Sequence, residues 1–328
     1  MVPNKVLQEF NSGKLPPEAL KSVVLSFCGS KRPEVLVGPK VGEDAAVIKW
    51  GEGDYLVITT DPIVGATQGA GRLLVTVNSN DVAAKGGDPC YLATTMIFPK
   101  HTTKDTIEAV AREIHEACQE MGVAVVSGHT EINERYTFPV ICGTMVGKAN
   151  RVLSADHIVS SDLILVTKHA GLEGMSILAA DRPDLLGKFL SPSEIEEAKS
   201  WISRTSILKE AKVLRKYARF MHDPTEGGII GGLSELMELT NLGIELFKEK
   251  FPIHPITRKT SEALCFDPLH LISSGVLIAV IPEEDADTAL RDLARIEVDC
   301  AIVGRFIEGN GNIDCDYTEE LWRLLEVE

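Results

Sequence analysis

Five short stretches of this chain set carboxylates beside glycine or at the ends of apolar runs. They are Gly42-Glu43-Asp44-Ala45-Ala46-Val47-Ile48, Val57-Ile58-Thr59-Thr60-Asp61, Asn78-Ser79-Asn80-Asp81, Ser127-Gly128-His129-Thr130-Glu131 and His222-Asp223-Pro224-Thr225-Glu226-Gly227-Gly228. Acids this far apart in sequence meet only if separate elements project them into one cleft. A cleft of that kind serves hard cations. Mg2+ takes oxygen ligands, commonly one or two carboxylates together with the phosphates of a nucleotide.

Each stretch also has a plainer reading. Asp44 after Gly42, and Asp61 before Pro62, are ordinary turn residues as well as candidate ligands. Asn78, Asn80 and Asp81 sit in a helix-like run otherwise built from Leu73, Leu74, Val75, Val77, Val82, Ala83 and Ala84. Unpaired in a core, each such group would cost about 1–3 kcal/mol. This face therefore looks into a polar cleft or caps neighbouring loops, and the cleft is the favoured expectation. Gly128 gives backbone access beside Glu131. His129 is a metal ligand, a phosphate contact or a satisfied loop histidine. Gly227-Gly228 opens a helix whose free amides suit phosphate, or it permits tight helix packing.

The elements that must position these residues follow from period and punctuation. A first helix is expected over 16–28, with Leu20, Val23, Val24 and Phe27 on one face. Ala45–Ile48 and Tyr55–Thr59 read as a hairpin around Gly51-Glu52-Gly53-Asp54. A helix over 72–85 ends at Gly86-Gly87, and a strand over 91–98 follows. Residues 104–121 carry the clearest amphipathic helix, with Thr102 as its expected N-cap and Gly122 as its stop. A strand over 123–127 then leads to a Gly-His-Thr-Glu loop, and 136–146 is a further strand. In the second half, strands are expected at 163–167, 276–281 and 301–303. Helices are expected at 169–180, 181–200, 207–218, 229–239 and 285–296, and the last residues have the pattern of a short amphipathic helix. Consecutive strands mixed with helices in both halves indicate two α+β or mixed α/β domains, 1–150 and 151–328, rather than one strictly alternating parallel fold.

Composition narrows the function. The chain has 328 residues, 44% of them hydrophobic and 25% charged, as in ordinary globular proteins. A net charge of -15 argues against a general nucleic-acid binder, but not against a nucleotide held through metal ions. No apolar run approaches a membrane span, and residues 1–14 lack the pattern of a secretory signal. The seven cysteines are scattered without CxxC spacing. Buried free thiols in a cytoplasmic protein are the expectation, rather than zinc or an iron–sulfur cluster.

Taken in order, these stretches resemble the superfamily of aminoimidazole ribonucleotide synthetase, thiamine-monophosphate kinase, selenophosphate synthetase and the hydrogenase maturation protein HypE. The resemblance runs from about residue 20 to about residue 310. Residues 41–48 look like the family's G-x-D-A-A-V segment, and Thr59-Thr60-Asp61-Pro62 is similar to its strand-end aspartate. Residues 77–89 resemble the V-N-D-L-A-x-x-G-A-x-P helix, and 221–228 the D-P-T-x-G-G motif. Asp267-Pro268-Leu269-His270-Leu271 tilts the likeness towards HypE.

The resemblance implies a two-domain PurM-like fold, with the N-terminal sheet forming a β-barrel across a homodimer. It implies ATP between the domains, its phosphates held through Mg2+. By matching position, Asp44, Asp61, Asp81 and Asp223 would be the metal acids. Gly128, Thr130, Gly227 and Gly228 would join Asp44, Asp61 and Asp223 on the nucleotide side. Asp81 and Asn80 would be the catalytic pair. Two departures stand out. Where many relatives have G-D-T, this chain has Gly128-His129-Thr130, and Glu131 is the expected substitute. HypE proper carries a terminal cysteine that accepts a carbamoyl group, whereas residues 321–328 hold none and Cys315 is the nearest.

The leading expectation is a Mg-ATP-dependent enzyme of the HypE-like branch that phosphorylates a substrate oxygen, working with a maturation partner protein. A small-molecule kinase like thiamine-monophosphate kinase is the alternative. A nucleotide-binding assembly factor without catalysis is the reading from outside enzymes.

Overall fold

Alternating apolar residues build the sheet of the first half and continuous apolar runs the sheet of the second, and the helix Ala70–Ala84 packs against both. The computed structural model describes residues 16–64, 69–311, 313 and 318–327. A short α1 (Pro17–Ala19) continues as one π-helical turn, Leu20–Val24. Of the apolar face expected there, Val23, Val24 and Phe27 stand exposed.

The first sheet contains β1 (Val35–Val37), β2 (Ala46–Lys49), β3 (Tyr55–Val64), β4 (Asp88–Pro99), β5 (Ala124–Asn133) and β6 (Val140–Ala149), in the order β1-β2-β3-β6-β4-β5. The expected hairpin is β2–β3, antiparallel with Val47 opposite Val57. β3 extends further than its apolar run suggested, so Asp61 lies within the strand, opposite Gly143 of β6.

Helices α2 (Ala70–Ala84) and α3 (Lys104–Met121) pack against this sheet and each other. At the start of α3 the cap is Thr103, whose hydroxyl accepts from Thr106 N at 3.2 Å. Thr102, the expected cap, instead donates its hydroxyl to Pro99 O at 2.7 Å. Gly122 ends α3 in the left-handed conformation, φ 72°. The Gly-His-Thr-Glu segment is strand rather than loop, because its parallel ladder with β4 continues through Gly128, opposite Thr94, to Asn133. A side chain at Gly128 would stand 2.9 Å from Thr94 Oγ1, so the close approach of the two strands needs glycine there.

The second half contains β7 (Leu163–Thr167), α4 (Leu172–Asp181), α5 (Pro183–Leu186), α6 (Pro192–Ser200), α7 (Leu208–Leu214), β8 (Phe220–His222), α8 (Gly228–Thr240), β9 (Gly243–Leu246), α9 (Pro255–Leu264), β10 (Ile278–Ile281), α10 (Ala286–Arg295), β11 (Cys300–Ile307) and α11 (Glu320–Leu325). Its sheet is antiparallel, in the order β8-β10-β7-β11-β9. Alternation sorts the two faces cleanly. Ile164, Val166, Ile278 and Val280 pack with α4 and α8, while Leu165, Ala279 and Ile281 pack with α7 and α10. Both faces are covered, so β7 and β10 read as continuous apolar runs.

α2 links the layers. Leu74, Val75 and Val82 belong to the core of the first half, but Ala83 and Ala84 are buried among Leu165, Leu214 and Met221 of the second. The last turns of α2, which carry Asn80 and Asp81, therefore lie at the seam. Of the described cysteines only Cys118 is buried, and Cys28 and Cys265 are exposed, contrary to the expectation of buried thiols. Cys315 lies outside the described residues. Among the described residues no helix is long and apolar enough to cross a membrane.

Candidate functional site

The seam opens into a cleft of about 640 Å3. Glu43, Asp44, Asp61, Asp81, Glu173, Asp223, Glu226 and Glu235 line it, against the basic side chains of Lys40 and His222.

Asp44 is delivered by a turn that only glycine can make. Gly42 has φ 82°, and a Cβ there would lie 2.9 Å from Leu239 Cδ1 and 3.0 Å from Glu235 Cβ. The next residue, Glu43, forms a fully interior ion pair with Lys85, whose ammonium also sits 4.1 Å from the centroid of the Phe220 ring. With Glu43 anchored, Asp44 turns to the cleft and meets His222, Oδ1 to Nδ1 at 2.6 Å. The other ring nitrogen of His222 lies 3.1 Å from Glu235. Burial alone would lower the pKa of this imidazole, but Asp44 and Glu235 outweigh it and raise the pKa to about 10. His222 is thus an imidazolium strut between the halves.

Asp61 is fixed through its backbone, whose N–H donates to Asn78 Oδ1 at 3.1 Å. Asn78 in turn donates to Leu74 O at 2.9 Å, so this wholly buried amide is satisfied. Gly143 makes room for it, since a Cβ there would stand 2.9 Å from Asn78 Nδ2. Asp81 accepts the Thr59 hydroxyl at 2.6 Å. Burial first, and then the Asp61 and Asp44 carboxylates, push its pKa well above the ordinary aspartate value.

Asn80 spans the seam. Its amide donates to Thr205 O at 2.8 Å and to Asp223 Oδ2 at 2.9 Å, and its oxygen accepts from Ile207 N at 3.0 Å. Asp223 also accepts from Gly275 N at 3.2 Å. Burial raises the pKa of Asp223 to about 7, with nearby Asp44 and Glu173 adding to the rise and the Asn80 and Gly275 donors opposing it.

Asp44, Asp61, Asp81 and Asp223 thus meet in one cleft, with Asn80 bonded to Asp223. Gly227 and Gly228 lie at its margin, where both have positive φ, 81° and 62°. Packing explains Gly228, where a Cβ would stand 2.4 Å from Leu269 O. At Gly227 the amide proposed for phosphate donates to the Glu319 carboxylate at 2.7 Å. Glu319 also accepts from Ile272 N at 3.2 Å and Leu321 N at 2.8 Å.

Gly128, Thr130 and Glu131 are elsewhere. They lie on β5 at the sheet edge, three strand spacings from Asp61 along the row Asp61–Gly143–Thr94–Gly128, or about 14 Å. Glu131 pairs there with Asn133 and, at 3.2 Å, with His129. None of these side chains lines the cleft within one chain.

The donor set fits a hard divalent cation shared with phosphate. Every carboxylate supplies oxygen, and burial first, then neighbouring carboxylates, holds the pKa of Asp81 and Asp223 above the ordinary aspartate value. Among the described residues no group of three or more His, Cys, Asp or Glu is gathered tightly enough to cage a metal by itself. Without cations, such a wall repels phosphate.

Sequence reasoning missed His222, Glu235, Thr59 and Lys85. His222 had a signal, being adjacent to Asp223 and following the apolar pair Phe220-Met221. Lys85 had one too, as a lone cation closing an apolar helix.

Residues 42–149 match the family described as AIR synthase related protein, N-terminal domain, and residues 160–315 match its C-terminal domain. The chain is 29% identical over 283 residues to a thiamine-monophosphate kinase of Pyrococcus horikoshii, spanning 83% of this chain and 84% of that protein. It is 26% identical over 272 residues to carbamoyl dehydratase HypE of Escherichia coli, spanning 79% and 78%. Among solved structures, a HypE protein in complex with ATP superposes with a TM-score of 0.66 at 25% identity, over 92% of this chain and 89% of that one. HypE in a HypE–HypF complex gives a TM-score of 0.69 at 22% identity, over 82% and 88%.

Proposed function

This chain belongs to the AIR synthase-related family, and from that premise we propose a Mg-ATP-dependent enzyme of the HypE-like branch that phosphorylates an oxygen of its substrate. The observation that carries the reading is the meeting of Asp44, Asp61, Asp81 and Asp223, from separate elements, in one cleft at the junction of two halves.

In this reading Asp44, Asp61, Asp81 and Asp223 hold Mg2+, which when bound offsets the phosphate charge that would otherwise be repelled. The protein's remaining work is positioning. His222 fixes one oxygen of Asp44, and Asn80 holds Asp223 to the 205–207 segment. Thr59 holds one oxygen of Asp81, and the Asp81 carboxylate, its proton affinity raised by burial and by Asp61, takes the acceptor's proton. The γ-phosphoryl group passes to the acceptor oxygen, and ADP leaves. The domains run from 1 to 150 and from 151 to 328. A homodimer forms through the first sheet, whose β5 leaves Val125, Val126 and Ile132 exposed. That dimer brings Gly128, Thr130 and Glu131 to the nucleotide side of the pair. The cytoplasm is the compartment, and a maturation protein is the partner, with the HypE–HypF complex as precedent.

A second reading, a small-molecule kinase, is favoured by the similarity to thiamine-monophosphate kinase. Incubation with Mg-ATP, following ADP and phosphate, separates the two. Phosphate release that rises with an amide or carbamoylated partner supports the first. Turnover only with an added alcohol or phosphate ester supports the kinase. Tight Mg-ATP binding without turnover leaves a nucleotide-binding assembly factor and refutes both.

A further inference from the structure

A second groove, of about 700 Å3, runs along a different face of α2. Val77 and Asp81 look into the acid cleft, Leu73 borders both, and Arg72, Thr76 and Ala83 look into this groove. Its far wall is the segment from Ile202 to Lys212, contributed by the second half of the chain, and Pro89 and Met121 complete the apolar lining. Grooves of this size between two layers are where small-molecule sites form.

Its charge is opposite to that of the acid cleft. Arg72 is spent on a bidentate pair with Glu120, at 2.6 and 2.8 Å. Asp88 is spent on Arg215 at 2.9 Å. Lys209 and Lys212 remain, one turn apart on α7, and neither has an ion-pair partner among the described residues. Beside them Ser206 accepts from Leu208 N at 3.4 Å, which leaves its hydroxyl proton to donate. In a chain of net charge -15, a groove with two uncompensated ammonium groups over an apolar floor is selective for anions.

We infer that this groove is a second ligand site, for a small molecule with an apolar body and one phosphate or carboxylate head. The head meets Lys209, Lys212 and the Ser206 hydroxyl, and the body covers Leu73, Pro89 and Met121. The same 205–207 segment is held from behind by Asn80, which bonds Thr205 O, Ile207 N and Asp223. An occupant of the groove therefore bears on the strut that orients Asp223. The inference does not depend on nucleotide chemistry in the acid cleft.

Calorimetry on the full chain, without Mg2+ or nucleotide, tests it with phenyl phosphate, benzoate and inorganic phosphate as probes. At least one aromatic probe is expected to bind about tenfold or more tighter than inorganic phosphate, the difference being burial of the ring. The tighter of the two aromatic probes identifies the head. Lys209→Glu/Lys212→Glu is expected to weaken that binding by about tenfold or more, and Asp61→Asn to leave it unchanged. Both lysines are exposed, so the fold should persist; Lys209→Ala/Lys212→Ala, checked by circular dichroism, gives the same comparison without charge reversal. Three results would overturn the assignment. They are no heat with either aromatic probe, equal affinity for inorganic phosphate, and lysine variants that are folded and bind like the wild type.

Discussion

Lys85→Met should be among the most damaging single substitutions in this chain, although Lys85 touches no solvent. The ammonium is wholly interior, and its partner Glu43 is 2% exposed. Removing the lysine strands a carboxylate in the interior, and breaking such a pair costs about 3–5 kcal/mol. The desolvated contact with the Phe220 ring adds about 2 kcal/mol. Because whole domains are stable by only about 5–15 kcal/mol, the loss should be plain in equilibrium denaturation by urea. The double variant Glu43→Met/Lys85→Met removes both charges and should recover most of it, since apolar replacements of a buried pair are close to neutral. A single variant losing less than about 1 kcal/mol, the value of an exposed pair, would refute the argument. So would a double variant no more stable than Lys85→Met. Glu43 directly precedes Asp44, so the single variant should also weaken Mg-ATP binding.

Further outcomes follow from the same geometry. Asp61→Asn keeps the backbone bond to Asn78 and removes one charge; Mg-dependent nucleotide binding should vanish in calorimetry while the circular dichroism spectrum is unchanged. Gly42→Ala strains a left-handed residue and drives a methyl against Leu239 and Glu235; a loss of about 1–3 kcal/mol is expected in thermal denaturation. His169 is buried beside Trp201, and burial first, then His254 and Arg204, lower its pKa from 6.5 to about 4. The unfolded chain therefore takes up a proton that the folded chain refuses. Stability from this group is complete above pH 6.5 and is lost as pH falls from 6.5 to 4, by about 3 kcal/mol in all. His169→Phe should flatten that part of the stability profile relative to the wild type.

Much of this was legible in the sequence because the signals were local. The turn around Gly51–Gly53 and the period of α3 specify their elements directly, and Asn80 and Asp81 in an apolar helix announced a polar seam. What was missed depended on distant partners. Asp61 lies inside β3 because β6 extends the ladder past the apolar run, and no residue near Asp61 says so. The segment at Gly128 looked like a loop because glycine and polar residues mark loops. Here they mark an edge strand whose neighbour comes too close for a side chain. The short β8 and β9 went unread for similar reasons, since three or four residues carry little periodicity, and the ten-residue α9 was passed over as well. His222 was passed over because its value lies in Asp44 and Glu235, which only the folded chain brings to it.

The way α2 ends bears on how the chain can be divided. Its final alanines and Lys85 are finished for surroundings supplied from beyond residue 150, and Asn80 finds its partners there as well. A fragment cut between the two sheets would present these groups to water, with Lys85 robbed of the Phe220 ring and Asp44 of His222, leaving the acid-bearing turn slack. Such halves should be poor expression products singly. Mixed together, each would offer the other the lining it lacks, so complementation in trans is the sensible way to rebuild the protein from pieces.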